Sequence, residues 1–151
     1  MKGLFIFRRD LRYKDNLALK LALDECDKVY TCFILDDRQG RKKNDYFSPC
    51  AFAFMLQTLQ ELNTCVLKGK VVKVLKSVLK KYDIDKIYLN RDYTPFSQKR
   101  DKEIEKLCDV VYVDDGICLN SPLSIKPYKV FTPYYKLAKK NTVAKPVSEP
   151  I

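Results

Sequence analysis

Short apolar runs alternate along this chain with longer segments whose apolar residues recur at helical spacing. Continuous apolar runs of three to seven residues indicate strands that are buried on both faces of a sheet. Such runs predict five strands, at residues 4–7, 29–35, 65–67, 86–90 and 110–113. The helical spacing, with Ser-Pro and Thr-Pro pairs as start signals, predicts four helices, at residues 15–24, 48–62, 71–82 and 94–107.

This alternation predicts the α/β class, as a Rossmann-like, doubly wound, five-stranded parallel sheet with helices on both faces. In such sheets, ligands bind beyond the carboxyl ends of the strands, where the strand order reverses. The first and fourth strands both end in polar or charged residues, which makes their ends the expected site. These residues are Arg8, Arg9, Asp10, Asn90, Arg91 and Asp92.

The regular pattern fades after Asp114, and prolines crowd the last 30 residues. We therefore expect an α/β domain over residues 1–125 and a basic, linker-like segment over residues 126–151. Within this region the pattern predicts an extended loop at 116–130 and a short helix at 132–140, which Thr132 and Pro133 would begin.

Half of the net charge lies in the C-terminal segment. Residues 126–151 hold six lysines and one acid, a net charge of +5, against +10 for the whole chain. A basic surface attracts phosphates by charge alone, which makes this segment a candidate nucleic-acid contact. Its candidate residues are Lys136, Lys139, Lys140 and Lys145. The alternative is that these lysines only keep the protein soluble.

Several catalytic classes are excluded by what the sequence lacks. There is no histidine, which rules out hydrolases built on Ser–His or Cys–His pairs. Neither the G-x-G-x-x-G fingerprint nor a P-loop occurs. Aspartates at the strand ends are conceivable catalytic acids, but their basic neighbours favour paired charges, and no catalytic residue is predicted.

The cysteines and the chain start indicate an intracellular protein. The six cysteines form no C-x-x-C pair and sit in or beside apolar runs, which predicts free, buried thiols and no metal site. No apolar run approaches the roughly 18 residues of a membrane span, and no cleavage site follows the first strand. We therefore expect a soluble chain that does not enter a membrane.

Three sequence blocks carry a resemblance to a known family. The first is F-I-F-R-R-D-L-R at residues 5–12, followed by D-N-L-A-L at 15–19. The second is Y-L-N-R-D-Y-T-P at 88–95, with Arg100 and Asp101 close behind. The third is Y-K-V-F-T-P-Y-Y-K at 128–136. In this order and at these separations they resemble the N-terminal α/β domain of DNA photolyases and cryptochromes, over about residues 1–140.

The resemblance implies a light-driven function shared between two domains. In that family a helical C-terminal domain binds FAD, carries the electron-transfer tryptophans and accepts the flipped pyrimidine dimer. The N-terminal domain of many members instead holds an antenna chromophore in the cleft between the domains. This sequence stops at Ile151 and has no tryptophan, so we expect the FAD-binding domain to be missing and the chain to be inactive alone.

The resemblance also limits the choice of antenna chromophore. Folate-binding relatives use an Asn-Glu pair where this chain has Phe96 and Ser97, and a histidine that this chain lacks. The folate contacts therefore do not carry over, whereas a flavin or deazaflavin antenna remains open. The candidate residues for that cleft are Arg9, Asp36, Asp37, Arg38, Asn90 and Arg91.

Three hypotheses follow from the resemblance. The chain is one half of a split photolyase, and docks a separately encoded FAD-binding domain through Phe131, Tyr134 and Tyr135. Alternatively, it is a truncated remnant without light chemistry that serves as a binding module. In the third hypothesis it is an accessory protein that binds nucleic acid through its lysine-rich end.

Overall fold

The computed structural model describes residues 1–39, 44–115, 128–140 and 143–147. Five strands and five helices make up its regular structure. The strands are β1 (Lys2–Phe7), β2 (Lys28–Leu35), β3 (Cys65–Lys68), β4 (Lys86–Asn90) and β5 (Asp109–Val113). The helices are α1 (Leu17–Glu25), α2 (Pro49–Leu62), α3 (Val71–Tyr82), α4 (Pro95–Ile104) and α5 (Phe131–Ala138), and a 3-10 turn spans Asp37–Gln39.

The five strands form one parallel sheet in the order β3-β2-β1-β4-β5. The predicted doubly wound fold is therefore confirmed. The chain first builds outward from β1 through β2 to β3, and then crosses to the other side of β1 to add β4 and β5. The strand order consequently reverses between β1 and β4, which is the expected place for a ligand.

Alternate residues of β1 feed two separate cores, one on each face of the sheet. Leu4 and Ile6 belong to a cluster that includes residues of α3 and α4, among them Leu75, which is fully buried. Phe5 and Phe7 belong to a cluster with residues of α1 and α2. Burying each such side chain stabilises the folded chain by roughly 1.5–3 kcal/mol. Because both faces are covered at the centre of the sheet, β1 is buried from Gly3 to Phe7.

Three of the helices begin just after a residue whose side chain caps them. The side chains of Asn16, Ser48 and Thr94 accept hydrogen bonds from backbone N–H groups in the first turns of α1, α2 and α4, respectively. The predicted end of α4 at residue 107 was too late, since the helix ends at Ile104.

The expected burial of the cysteines holds for Cys32 but is wrong for two others. Cys50 and Cys65 are exposed, because Cys50 lies in the first turn of α2 and Cys65 begins β3, a strand at the sheet edge. All five cysteines of the described residues are free thiols, and Cys118 lies outside those residues.

Parts of the C-terminal region lie outside the described residues. These parts include the predicted domain division at residue 125 and most of the predicted loop at 116–130. The short helix predicted at 132–140 is present as α5, one residue earlier at its start. Among the described residues, no helix is both long and apolar enough to span a membrane.

Candidate functional site

A cavity of about 690 Å³ opens beyond the carboxyl ends of β1 and β2, next to the N-terminal half of α2 and to one side of α4. Apolar side chains from the strands and from α2 line part of it, including Phe7, Phe33 and Met55. Phe96 of α4 adds an aromatic ring that is partly exposed. Four arginines also line this cavity: Arg8, Arg9, Arg38 and Arg100. A mostly apolar cavity with a few convergent charged groups is the usual form of a small-molecule site.

Arg8 is fixed by a buried ion pair with α4. Its Nη1 and Nη2 donate to the two carboxylate oxygens of Asp101 at 3.0 and 2.6 Å. Both side chains are only 9% exposed. The paired geometry holds the end of β1 against α4, and it places one wall of the cavity on rigid elements.

Arg9 pairs with Asp92, just after β4. Its Nε lies 3.4 Å from a carboxylate oxygen of Asp92. Burial alone would raise the pKa of Asp92, but hydrogen bonds from the Thr94 N–H and the Ser97 hydroxyl, together with the charge of Arg9, lower it below its usual value. Asp92 therefore stays ionised and organises the first turn of α4, which begins at this corner of the cavity.

Arg38 also lines the cavity and pairs with Asp36, a buried residue just after β2. Its Nη2 donates to Asp36 at 2.6 Å, and its Nε donates at 3.0 Å. Burial raises the pKa of Asp36, and the bonds from Arg38 outweigh that effect and lower it. The guanidinium carbon of Arg38 also lies 5.0 Å from the centroid of the Phe96 ring, a cation–π distance.

Arg100 is the least satisfied of the four arginines. Its Nε donates to Asp101 at 3.2 Å, and its guanidinium carbon lies 5.8 Å from the Phe96 centroid. Its Nη2 is buried and has no hydrogen-bond partner within the described residues. Burial, and then the nearby positive charge of Arg8, lower the pKa of Arg100. A buried donor without a partner is rare in folded proteins.

The arginines after β1 do not pair with their neighbouring aspartate as the sequence suggested. Arg8, Arg9 and Arg12 instead bind Asp101, Asp92 and Asp115, which are distant in sequence. Asp10 accepts from the Arg8 N–H and from the amide of Asn90. The ion pairs thus connect the end of β1 to α4 and to the segments after β4 and β5, rather than fixing a local turn.

Asn90 is a structural residue at the point where the strand order reverses. Its amide nitrogen donates to Asp10 and Asn16, and its amide oxygen accepts from the Ala18 N–H. A smaller, polar hollow of about 290 Å³ lies here. It is also lined by Arg91, which pairs with Asp114 at 3.1 Å and lies over the ring of Tyr112.

The six residues predicted for the chromophore cleft are therefore distributed over several places. Arg9 and Arg38 line the large cavity, and Asp36 fixes Arg38 from beneath it. Asn90 and Arg91 line the smaller hollow. Asp37 lines a different groove, together with Lys68, Lys70 and Lys73 at the start of α3.

Sequence reasoning missed Arg100 as a cavity residue, although a signal was present. The buried residues of α4 include Ser97, Arg100, Asp101 and Ile104, at the spacing of one helix face. Three of the four are polar. A helix that turns polar side chains inward brings ionic groups into the interior, and this pattern could have identified the polar side of the cavity.

A second candidate surface lies on α5 and after it. The rings of Phe131 and Tyr135 stack at 5.8 Å, and Phe131 is 71% exposed. Tyr134 contacts the Phe131 ring at 6.1 Å and is partly buried. The four lysines predicted to contact nucleic acid, Lys136, Lys139, Lys140 and Lys145, are all exposed.

Comparisons with known proteins give the family. A family model described as DNA photolyase matches residues 4–150. The deoxyribodipyrimidine photo-lyase of Alkalihalophilus pseudofirmus is 31% identical over 152 residues, which is 86% of this chain and 31% of that protein. The cryptochrome DASH of Idiomarina loihiensis is 32% identical over 102 residues, which is 59% of this chain and 22% of that protein.

Solved structures of photolyases are also similar to this chain. The archaeal photolyase from Sulfolobus tokodaii superposes with a TM-score of 0.87 at 36% identity, over 99% of this chain and 37% of that chain. It was described with two FAD molecules, with the implication of a novel light-harvesting cofactor. A class III photolyase from Agrobacterium tumefaciens, at 21% identity and a TM-score of 0.85, shares the fold.

The fold is that of a doubly wound α/β domain with a cavity at its strand ends. The chain belongs to the DNA photolyase family, and it corresponds to the N-terminal domain of its members. It spans about a third of the length of the photolyases it matches.

Proposed function

We propose that this domain holds a flavin-type antenna chromophore in the cavity beyond β1 and β2, and that it serves light-dependent DNA repair together with an FAD-binding domain. The observation that carries the proposal is the cavity itself, which combines apolar strand ends, an aromatic ring and four arginines. The S. tokodaii relative, with its two FAD molecules and a proposed light-harvesting cofactor, supports a flavin over other antennas.

The cavity suits such a chromophore in size and in chemistry. Its volume of about 690 Å³ lies within the roughly 300–1,000 Å³ range of ligand pockets. Phe7, Phe33 and Met55 offer apolar contact to a planar ring system, and the Phe96 ring offers an aromatic face. Arg100 adds a guanidinium group to the lining of the cavity.

When bound, an antenna chromophore absorbs light and passes the excitation energy to the catalytic flavin. The residues of this chain bind and orient it. The Arg8–Asp101 and Arg9–Asp92 pairs hold the cavity walls in place, while Phe7 and Met55 exclude water from the ring system. No proton or electron transfer is assigned to any of them.

The chromophore is tested by purifying the chain from cells that contain flavins and deazaflavins. Acid denaturation should then release a stoichiometric chromophore, which absorbance and mass spectrometry would identify as a flavin. Release of a folate would contradict the assignment. A chain that carries no chromophore and takes up none on reconstitution would favour a family remnant without light chemistry.

We further propose that α5 docks a separately encoded, helical FAD-binding domain. Several large apolar side chains are exposed on and beside this helix, which is unusual for a surface without a partner. They are Tyr128, Val130, Phe131, Tyr135 and Leu137. About two thirds of the S. tokodaii chain has no counterpart in this one, which supports an FAD-binding domain as the occupant.

The size of the native polypeptide tests whether that domain is separate. An immunoblot of source cells should show a band near the 17.7 kDa of this chain. Its complex, isolated from the same cells, should contain a second polypeptide with bound FAD. A band two to three times larger would mean that both domains lie on one chain, and would contradict separate encoding.

A second candidate function is contact with DNA, which the exposed lysines on and after α5 favour. Phosphate contacts would give an affinity that falls steeply with salt. Changing Lys136, Lys139, Lys140 and Lys145 to Glu should abolish this binding in a fluorescence-anisotropy titration. An absence of binding at low salt would remove this candidate.

A further inference from the structure

A strongly basic surface covers β3, α3 and the turn between them. Residues 65–82 contain six lysines and no acid, a net charge of +6. All six are exposed: Lys68, Lys70, Lys73, Lys76, Lys80 and Lys81. None of the six forms an ion pair with the residues that the structure describes. The aspartates that follow α3, Asp83 and Asp85, accept hydrogen bonds from Lys2 instead.

Three of these lysines form a row along α3. Lys73, Lys76 and Lys80 are three and four residues apart, a spacing that places them on one side of the helix. The row is about 10 Å long, at about 1.5 Å per residue. Lys68 and Lys70 extend the basic surface beyond the start of α3, where they line a groove of about 630 Å³ with Lys73. Asp37 is the one acid among the described residues that line this groove.

Exposed lysines on a helix are usually balanced by neighbouring acids, and α4 shows that ordinary arrangement. Lysines recur there at the same spacing, at Lys99, Lys102 and Lys106. Three acids are interleaved with them, so residues 95–107 hold four basic and three acidic residues, a net charge of +1. Like charges three and four residues apart repel one another on a helix. On α3 no acid offsets this repulsion, so a bound anion would relieve it.

The apolar side of α3 is already used inside the protein. Val71 and Leu75 are buried in the core, and Val74 and Val78 pack against it. A helix that lies on a membrane surface needs a free apolar face to insert. Because α3 presents only its lysines to solvent, charge is the main attraction that this surface offers. A polymer of phosphates fits such a surface better than a lipid bilayer does.

We propose that the lysine row of α3, with Lys68 and Lys70, binds the sugar-phosphate backbone of DNA without reading its sequence. One strand of a duplex carries a phosphate about every 3.4 Å of helix axis, so the row spans about three phosphates. The choice of DNA among phosphate polymers rests on the proposed role in DNA repair. The surface itself is separate from the lysines on and after α5, and it does not depend on the flavin.

The direct test is the salt dependence of DNA binding. A fluorescently labelled duplex is titrated with the full chain at several salt concentrations, without flavin, and binding is followed by anisotropy. Each phosphate contact contributes about 0.9 to the slope of log K against log salt. The triple variant Lys73→Gln, Lys76→Gln, Lys80→Gln should therefore reduce the slope by about 2–3. Glutamine has nearly the helix propensity of lysine, so this variant should keep its fold.

The matched control is the triple variant Lys99→Gln, Lys102→Gln, Lys106→Gln. It removes the same charge at the same spacing from the neighbouring helix. Its slope should stay within about 1 of that of the unaltered chain. Equal reductions in the two triple variants would show that only net charge matters and would overturn the proposal. So would an absence of DNA binding by the unaltered chain at low salt.

The groove supplies a test with the opposite sign. Asp37→Asn removes the carboxylate that faces the lysines there, and it should strengthen DNA binding by about threefold or more at low salt. Unchanged or weaker binding would contradict a backbone contact in this groove.

Other occupants give different results. Polyglutamate that displaces the duplex at equal total charge, and that itself depends on Lys73, Lys76 and Lys80, would identify an acidic protein segment as the partner and refute DNA. Changing Lys136, Lys139, Lys140 and Lys145 to Gln should leave the contribution of α3 to the slope intact. Glutamine is used because four changes to Glu remove eight units from a net charge of +10, which weakens the attraction at every surface. A slope that falls only in this C-terminal variant would contradict the α3 surface and leave the second candidate function standing.

Discussion

At the scale of single residues, the buried ion pair between Arg8 and Asp101 is the contact on which the cavity wall most depends. The two oxygens of Asp101 accept three hydrogen bonds from two arginines. Removing one member of a buried pair leaves the other charge without compensation, and the loss exceeds what the pair itself contributes.

Asp101→Asn should therefore lower the free energy of unfolding by about 3–5 kcal/mol. Asp83→Asn is the control, because Asp83 pairs with Lys2 on the surface and its side chain is 90% exposed. The control should cost less than about 1 kcal/mol. Urea unfolding measures both, and similar losses for the two variants would show that the Arg8 pair is not special.

Two carboxylates beside the cavity make the stability of the folded chain depend on pH in the acid range. The pKa values of Asp36 and Asp92 are lower in the folded chain than their usual values. Their contribution to stability is therefore complete above the unfolded pKa of about 3.9, and is lost as the pH falls through the folded values. Asp115 has the opposite effect on the pH dependence of stability, because burial raises its pKa.

In Asp92→Asn, the free energy of unfolding should fall less steeply as the pH is lowered below about 5. The reason is that an amide does not take up a proton in that range. The matched variant Asp45→Asn, in an exposed turn before α2, should keep the acid-induced loss. Urea midpoints measured at several pH values test this. An unchanged pH dependence in Asp92→Asn would contradict the lowered pKa.

At the scale of elements, the sequence predicted the strands better than the ion pairs. A strand buried on both faces has an apolar centre, and β4, with Ile87, Tyr88 and Leu89 at its centre, was predicted with its exact bounds, 86–90. The partners of Arg8 and Arg12 lie 93 and 103 residues away, and no local pattern encodes such contacts. The inward polar face of α4 was missed because helix prediction relies on apolar periodicity, which this helix lacks.

The N-terminal caps of α1 and α2 differ in their burial and in the hydrogen bonds that they make. Ser48 caps α2 on the surface, whereas Asn16 caps α1 in the interior and also accepts a hydrogen bond from the amide of Asn90. The Asn16 cap thus connects the start of α1 to the end of β4.

Ser48→Ala should cost about 1 kcal/mol, as for an ordinary cap. Asn16→Ala should cost about 2–4 kcal/mol, because it also removes a partner of the buried Asn90 amide. Chemical denaturation compares the two variants directly. A cost for Asn16→Ala no greater than that for Ser48→Ala would mean that the Asn16–Asn90 contact adds no stability.

At the scale of the whole molecule, two surfaces have separate roles: the cavity at the strand ends and the aromatic face of α5. Phe131 is 71% exposed in the chain by itself, and so is Phe54 on α2. Exposed side chains contribute little to folding. Any strong effect of changing Phe131 should therefore appear only in a complex.

Phe131→Ser should change the free energy of unfolding by less than about 0.5 kcal/mol. In the FAD-containing complex it should weaken binding by about tenfold or more, as for a central aromatic contact. Phe54→Ser should leave binding unchanged. Surface plasmon resonance on the isolated complex measures this, and equal affinities for the two variants would show that α5 is not the docking face.

The central claim is that a flavin binds in the cavity beyond β1 and β2, and a titration of FAD with a cavity-filling variant tests it most directly. Met55 of α2 lines the cavity, whereas its neighbour Phe54 is not among the lining residues. We predict saturable, one-to-one binding of FAD to the unaltered chain and to Phe54→Trp, and binding weakened at least tenfold in Met55→Trp, where the indole occupies the space of the ligand. No saturable binding, or equal binding by both tryptophan variants, would contradict the claim.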